Sequence, residues 1–277
     1  MDAKRISKTK NVNLNFFDIF PRQKSLIGMI HLYGDNIKEI KERAFEELKI
    51  YRDNDVDGAI IENYSAQSKN LPKSDLMYLF KEISIKIRAD VPQSASRTLD
   101  NRLELGINIL PNEFAEAFPL ANYCGASFIQ LDYIAGSYNG GRKKLNTSAY
   151  LKTKNMHPKI VVLGGVWPKY YIMDDPKNVG IYLLEAQSIA EAIVVTGDGT
   201  GRETPLDKIK LFDENVRGRH LVIGAGLTAE NAREQMQYAD AAIVGSYFKD
   251  GDTSAIVNAN KVRELSKIFN EMNNVRY

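Results

Sequence analysis

Apolar residues along this 277-residue chain gather in eight short runs. They are SLIGMIH (25–31), GAIIEN (58–63), ELGINIL (104–110), ASFIQLDY (126–133), KIVVLGGV (159–166), EAIVVTG (191–197), HLVIGAG (220–226) and AAIVGS (241–246). Most are continuous rather than alternating. A strand that is apolar at successive positions is buried on both faces, which suits a parallel sheet covered by helices.

Segments of helical period lie between the runs. Over 36–53, Ile37, Ile40, Ala44, Phe45, Leu48 and Tyr51 share one stripe with charges opposite. Over 73–89, Leu76, Leu79, Phe80, Ile83 and Ile87 do the same. Pro119 predicts a kink or an early end for the helix over 112–124. Pro176 after Asp175, and Pro205 after Thr204, mark two further helix starts. Thr228 reads as the N-cap of a helix over 228–239, and a last helix is expected from about Ile256 to Glu271. The fourth unit is the weakest, because 135–146 reads as an exposed loop.

Strands alternating with helices predict a right-handed βα series. The strands are even in length and nothing resembles a linker. Both points favour a closed (β/α)₈ TIM barrel, of class α/β, over an open doubly wound sheet. We therefore expect one domain over 16–277, preceded by a flexible tail over 1–15.

Composition changes this picture little. The chain is 44% hydrophobic and 26% charged, which is ordinary for a globular domain. A formal net charge of +2 is too balanced to predict a nucleic-acid polymer as partner. The basic start, MDAKRISKTK, lacks the apolar core of a signal peptide and reads as a weakly docked tail, with peripheral membrane contact as the alternative use. No apolar run reaches bilayer length. Cys124 is the single cysteine and reads as buried filler, consistent with a reducing, cytoplasmic setting.

Barrels of this kind carry their chemistry where the strands end. His31, Glu62, Asn63, Asn108, Asn112, Asp132 and Lys169 fall at or just beyond the ends of the first five strands. Thr196, Gly197, Asp198, Thr200 and Gly201 follow the sixth, Gly224 and Gly226 the seventh, and Gly245 and Ser246 the eighth. Small residues after the last strands expose consecutive backbone N–H groups, which suit a phosphate; tight turns without a ligand are the bland reading. Glu62 ends an apolar strand and reads as a general base, a metal ligand or the partner of a cation. With Asp132 it admits a divalent ion or shared acid–base work. Lys169 could neutralise an anion, form an imine if desolvated, or sit solvated. His31 is a candidate acid, base or ligand, or a structural histidine. Closely spaced His or Cys pairs, a P-loop ending and a Gly-x-Ser-x-Gly elbow are all missing from the sequence.

The pieces GMIHL (28–32), DVDGAIIENY (55–64), LGINILPNE (105–113), GASFIQLD (125–132), AIVVTGDGTG (192–201), VIGAGLTAENA (222–232) and AAIVGSYFKDG (241–251) together resemble the BtpA family, which is named for photosystem I biogenesis and includes SgcQ-like barrel proteins. The resemblance implies a TIM barrel of the ribulose-phosphate-binding type. It also implies that His31, Glu62, Asn63, Asn108, Asn112, Lys169, Thr196, Gly197, Thr200, Gly201, Gly224, Gly226, Gly245 and Ser246 surround the mouth. The chain departs from the family pattern after Asn63, at Gln130 in place of an arginine, and near LGGVWPKY, where an aspartate is expected. The expected function is that of an enzyme acting on a small phosphorylated sugar or nucleotide-type metabolite. The rival is a non-catalytic assembly or regulatory factor that keeps the barrel as a binding module. Homo-oligomerisation is a further expectation.

Overall fold

The eight apolar runs become eight parallel strands: β1 (Ser25–His31), β2 (Gly58–Glu62), β3 (Glu104–Asn108), β4 (Phe128–Leu131), β5 (Val161–Gly165), β6 (Ala192–Val195), β7 (His220–Ile223) and β8 (Ala241–Val244). A computed structural model describes residues 14–89 and 103–274. The basic stretch 1–10, and the side chain of Ile87, lie outside the described residues. Strand β1 pairs with β2 on one side and with β8 on the other, from Ser25↔Ala241 to Gly28↔Val244. The sheet is thus a closed barrel, and every strand has two neighbours.

Closure explains the continuous apolar runs. Along β1, Ile27 and Met29 belong to a cluster inside the barrel, with Ile60, Phe128, Leu163, Val194, Val222 and Ile243. Leu26 and Ile30 alternate with them and pack outward against the helices. A two-residue period with both faces covered reads as an unbroken apolar string. Gly28 lies on the outer face, where a Cβ would collide with the Tyr51 ring. The space lets Tyr51 lie flat on the strand and donate its hydroxyl to the Met29 carbonyl at 2.8 Å.

The outer layer comprises α2 (Ile37–Asp53), α4 (Lys73–Ala89), α5 (Phe114–Cys124), α6 (Thr147–Met156), α7 (Val179–Ile189), α8 (Leu206–Asn215) and α10 (Ala259–Asn274). Short α3 (Ala66–Lys69) precedes α4, and α9 (Ala232–Gln235) follows β7. The α5 helix runs on through Pro119 to end at Gly125 in the left-handed region. The loop over 135–146 is not wholly irregular: Ser137–Tyr138 and Lys143–Lys144 form an antiparallel hairpin.

Two helix expectations shift. No helix starts at Thr228. Its N–H is taken by the Asn231 side chain, whose amide in turn donates to the Gly226 carbonyl. The Asn231 side chain is spent on that turn, so α9 starts after it without a side-chain cap and is only four residues long. The last helix begins at Ala259 rather than near Ile256: Asp252 holds Ser254 in a turn, and the Asn258 side chain accepts the Asn260 N–H and so caps the first turn.

The N-terminal end of the barrel is plugged by α1 (Phe16–Ile19), fixed by a capping box between Asn15 and Asp18. Phe16, Ile19 and Phe20 join the interior cluster. Phe20 meets Phe128 edge-on at 5.3 Å, and Phe16 stacks on His220 at 4.7 Å. Each buried phenylalanine contributes roughly 1.5–3 kcal/mol. His220 therefore belongs to the end of the barrel opposite the mouth.

Candidate active site at the barrel mouth

Register sets the first three polar groups. His31 pairs with Glu62, and Glu62 with Asn108, across the last positions of β1, β2 and β3. Each stands two residues beyond an inward-facing position, Met29, Ile60 or Gly106, so all three share the inner side at the top of the barrel. Gln130 and Asp132 continue the same spacing from Phe128. Above them opens a cavity of about 970 Å³. Its lining includes His31, Glu62, Asn108, Gln130, Asp132 and Lys169 on one side, and Thr196, Thr200, Gly201, Gly224, Gly226, Gly245 and Ser246 on the other.

The two carboxylates are close enough to feel each other. Glu62 is buried and accepts a hydrogen bond from the Asn108 amide at 2.8 Å. Burial pushes its carboxyl up to about 7, against the pull of Lys169, and the Asp132 charge adds to the rise. Asp132 is itself raised by burial, opposed by Lys169 and by the Tyr171 hydroxyl that donates to it at 3.2 Å. Burial holds His31 well below the usual histidine range, and the Lys249 and Lys169 charges push it further down. The imidazole is therefore neutral at pH 7. Two carboxyls whose proton affinities are raised, beside one lysine, can hold and move a proton at neutral pH.

Lys169 is held through its backbone. Its N–H donates to the Thr196 hydroxyl at 2.8 Å. Lys208 locks this corner from behind, donating to the Thr196 carbonyl at 2.8 Å and the Trp167 carbonyl at 3.0 Å, with its ammonium over the Trp167 ring. Burial lowers Lys208 to about 8.

The glycines have specific reasons. Gly226 has φ +72°, and a Cβ there would collide with the Arg202 carbonyl. The loop after β6 thus folds directly onto the end of β7, tied by Thr204 Oγ1 donating to the Ala225 carbonyl at 2.9 Å. A Cβ at Gly201 would stand 3.2 Å from Ser246, and one at Gly245 would stand 3.1 Å from the His31 ring. Directly after Ser246 comes a 3₁₀ turn, Tyr247–Lys249, that no side chain caps.

Four expected mouth residues stand outside the lining. Asn63 accepts the Leu110 N–H at 2.7 Å, joining the loops after β2 and β3. The Asn112 side chain exchanges hydrogen bonds with the Tyr133 backbone, N–H and C=O, at 3.1 and 3.0 Å. Gly197 packs under the Glu203 carbonyl, and Asp198 is exposed. These residues shape loops around the cavity. Conversely, Tyr64, Lys69, Tyr170, Tyr171, Arg202, Tyr247 and Lys261 line it without a strand-end signal. Lys69 follows Ser65, whose hydroxyl caps α3. That cap was the one local hint. Lys261 arrives on the last helix, a placement only the closed topology supplies.

Among the described residues, no group of three or more His, Cys, Asp or Glu is placed to hold a metal ion. None of the described helices is long and apolar enough to cross a membrane.

Fold and mouth together define a (β/α)₈ barrel with two acids, one buried and one half-buried, facing a glycine-rich rim. The chain belongs to the BtpA family, whose model matches residues 22–272. It is 28% identical over 267 residues to an uncharacterized protein of Methanocaldococcus jannaschii, covering 91% of this chain and 97% of that one. It is 25% identical to the photosystem I biogenesis protein BtpA of Synechocystis, with 85% and 84% covered. Among solved structures, thiamine phosphate pyrophosphorylase from Pyrococcus furiosus superposes with a TM-score of 0.58 at 16% identity, covering 91% of this chain and 98% of that one. That likeness is one of fold.

Proposed function

We propose that the protein is an enzyme acting on a phosphorylated sugar or nucleotide-type metabolite at the C-terminal mouth. The observation that carries this reading is the division of one cavity into two halves. Glu62, Asp132 and Lys169 occupy the half formed by β2 to β5, and the small residues Gly201, Gly226, Gly245 and Ser246 occupy the half formed by β6 to β8. Main-chain amides at the ends of the last two strands suit a phosphate, with Arg202 and Lys261 as nearby cations. The opposite half then faces the reacting carbons. Glu62 takes or gives the proton, Asp132 shares the charge, and Lys169 stabilises negative charge as it develops.

The test is binding and turnover with a panel of sugar phosphates and nucleotides. Thermal stabilisation by at least one member, lost in Ser246→Asp and kept in Glu62→Gln, is expected. No stabilisation by any phosphorylated compound counts against the reading. The name of the Synechocystis relative motivates a second reading, a binding module without catalysis. Under it, a Glu62→Gln, Asp132→Asn double variant would sustain function in cells.

A further inference from the structure

Buried polar atoms without partners mark what a ligand must supply. Three such side-chain atoms stand on the floor of the cavity: His31 Nδ1, Asn108 Oδ1 and Gln130 Oε1. Leaving each unsatisfied in a buried site costs about 1–3 kcal/mol, so a partner is expected in the working complex.

The chemistry of the missing partner follows from the donors already used. The Asn108 amide nitrogen is committed to the Glu62 carboxyl, whose oxygen accepts from it in either protonation state. The amide is thereby oriented, and its free atom is the acceptor oxygen. Gln130 likewise leaves its oxygen unmatched. Beside them lie the oxygens of Glu62 and Asp132. The floor is therefore rich in acceptors. Its cations, Lys169 and Lys69, are already engaged electrostatically with the two carboxylates.

Resting on the reading proposed above, we propose that the floor binds the hydroxyl-bearing end of a polyol, with vicinal hydroxyls donating to Asn108 Oδ1 and Gln130 Oε1, and that it disfavours a ligand carboxylate or keto acid. A hydroxyl donates its proton to an amide oxygen and can still accept from Lys169, whereas the neutral His31 spends its one N–H on the Thr253 backbone and offers Nδ1 as a further acceptor. A carboxylate offers no donor and would meet two acids. The phosphate then lies across the cavity at the β7 and β8 ends, so the ligand spans the mouth with its sugar inward.

Calorimetric titration of the full-length protein tests this with matched probes. Ribose 5-phosphate and glucose 6-phosphate are compared with their 2-deoxy analogues, with phosphoenolpyruvate, and with free ribose and glucose. At least one hydroxylated phosphate is expected to bind tenfold or more tightly than both its deoxy analogue and phosphoenolpyruvate. Gln130→Met keeps the side-chain length and removes the acceptor, so it should shrink that ratio several-fold, with an unchanged melting temperature as the control for folding. Should the variant melt early, Gln130→Glu replaces it, and the hydroxylated ligand must then still outbind its deoxy analogue. Phosphoenolpyruvate binding as tightly as the sugars, or a deoxy ratio near one, overturns the inference while leaving phosphate recognition intact. Free sugars binding while no phosphorylated probe does overturns the phosphate reading and keeps the polyol floor. Silence from every probe overturns both.

Discussion

Glu62 and Asn108 are register partners on adjacent strands, and the amide of one donates to the carboxylate of the other at 2.8 Å. The strand pairing places the amide on the carboxylate, and that bond opposes the rise in proton affinity that burial causes at Glu62. Its carboxyl sits at about 7 when folded, against 4.5 for the free side chain. The folded state therefore holds a proton that the unfolded chain releases. Stability from this group is greatest below pH 4.5 and declines as pH rises towards 7. Glu62→Gln removes the decline. The stability difference between variant and wild type should grow in the variant's favour by about 3 kcal/mol between pH 4.5 and 8. Denaturant melts across that range check it; a pH-independent difference would contradict it.

A buried ion pair lies just beyond β8. Lys249 and Glu47 form an ion pair with side-chain exposures of 0% and 2%. Removing one partner leaves the other charged and buried. Lys249→Met should cost about 3–5 kcal/mol, and the Lys249→Met, Glu47→Met double variant should recover most of it. Urea unfolding of the two variants gives the comparison.

Lys208 is expected to act on the mouth from behind. Lys208→Met leaves the Trp167 and Thr196 carbonyls without their donor, at about 1–3 kcal/mol. The same change loosens the corner that holds Lys169, so ligand affinity should fall more than it does in an exposed-lysine control such as Lys38→Met. Calorimetry and thermal melts on both variants separate the effects.

Gly226 and Ser246 must be told apart by mutation. Gly226→Ala drives a Cβ onto the Arg202 carbonyl in a left-handed backbone, so it should lower the melting temperature whether or not a ligand binds there. Ser246→Asp adds a negative charge beside Gly201 and should abolish anion binding with a far smaller change in melting temperature. Equal melting temperatures for wild type and Gly226→Ala would contradict the packing described.

Much of the architecture was legible in sequence because its cause is local. Runs such as AIVV (192–195) are apolar at every position, and that pattern has few uses besides a strand covered on both faces. The end-of-strand rule reached His31, Glu62, Asn108 and Asp132 for the same reason. It went astray at Asn63 and Asn112, whose amides are equally polar but are spent on loop backbone. It also could not reach Lys69, Tyr171 or Lys261, whose positions depend on how loops and the last helix fold back. The short α9 was hidden because the Asn231 side chain ties the Thr228 N–H and the Gly226 carbonyl into a turn, so the helix starts only after Asn231. The glycines at 226 and 201 read in sequence as exposing backbone N–H groups, with no sign of what packs where their side chains would stand. The first is occupied by the neighbouring loop, and the second abuts Ser246.

Phe16 and Phe20 stopper the lower end of the barrel. Whatever enters from above has to back out through the same doorway. If the mouth works as proposed, it would serve one occupant at a time, and a molecule lingering inside would shut out its successor.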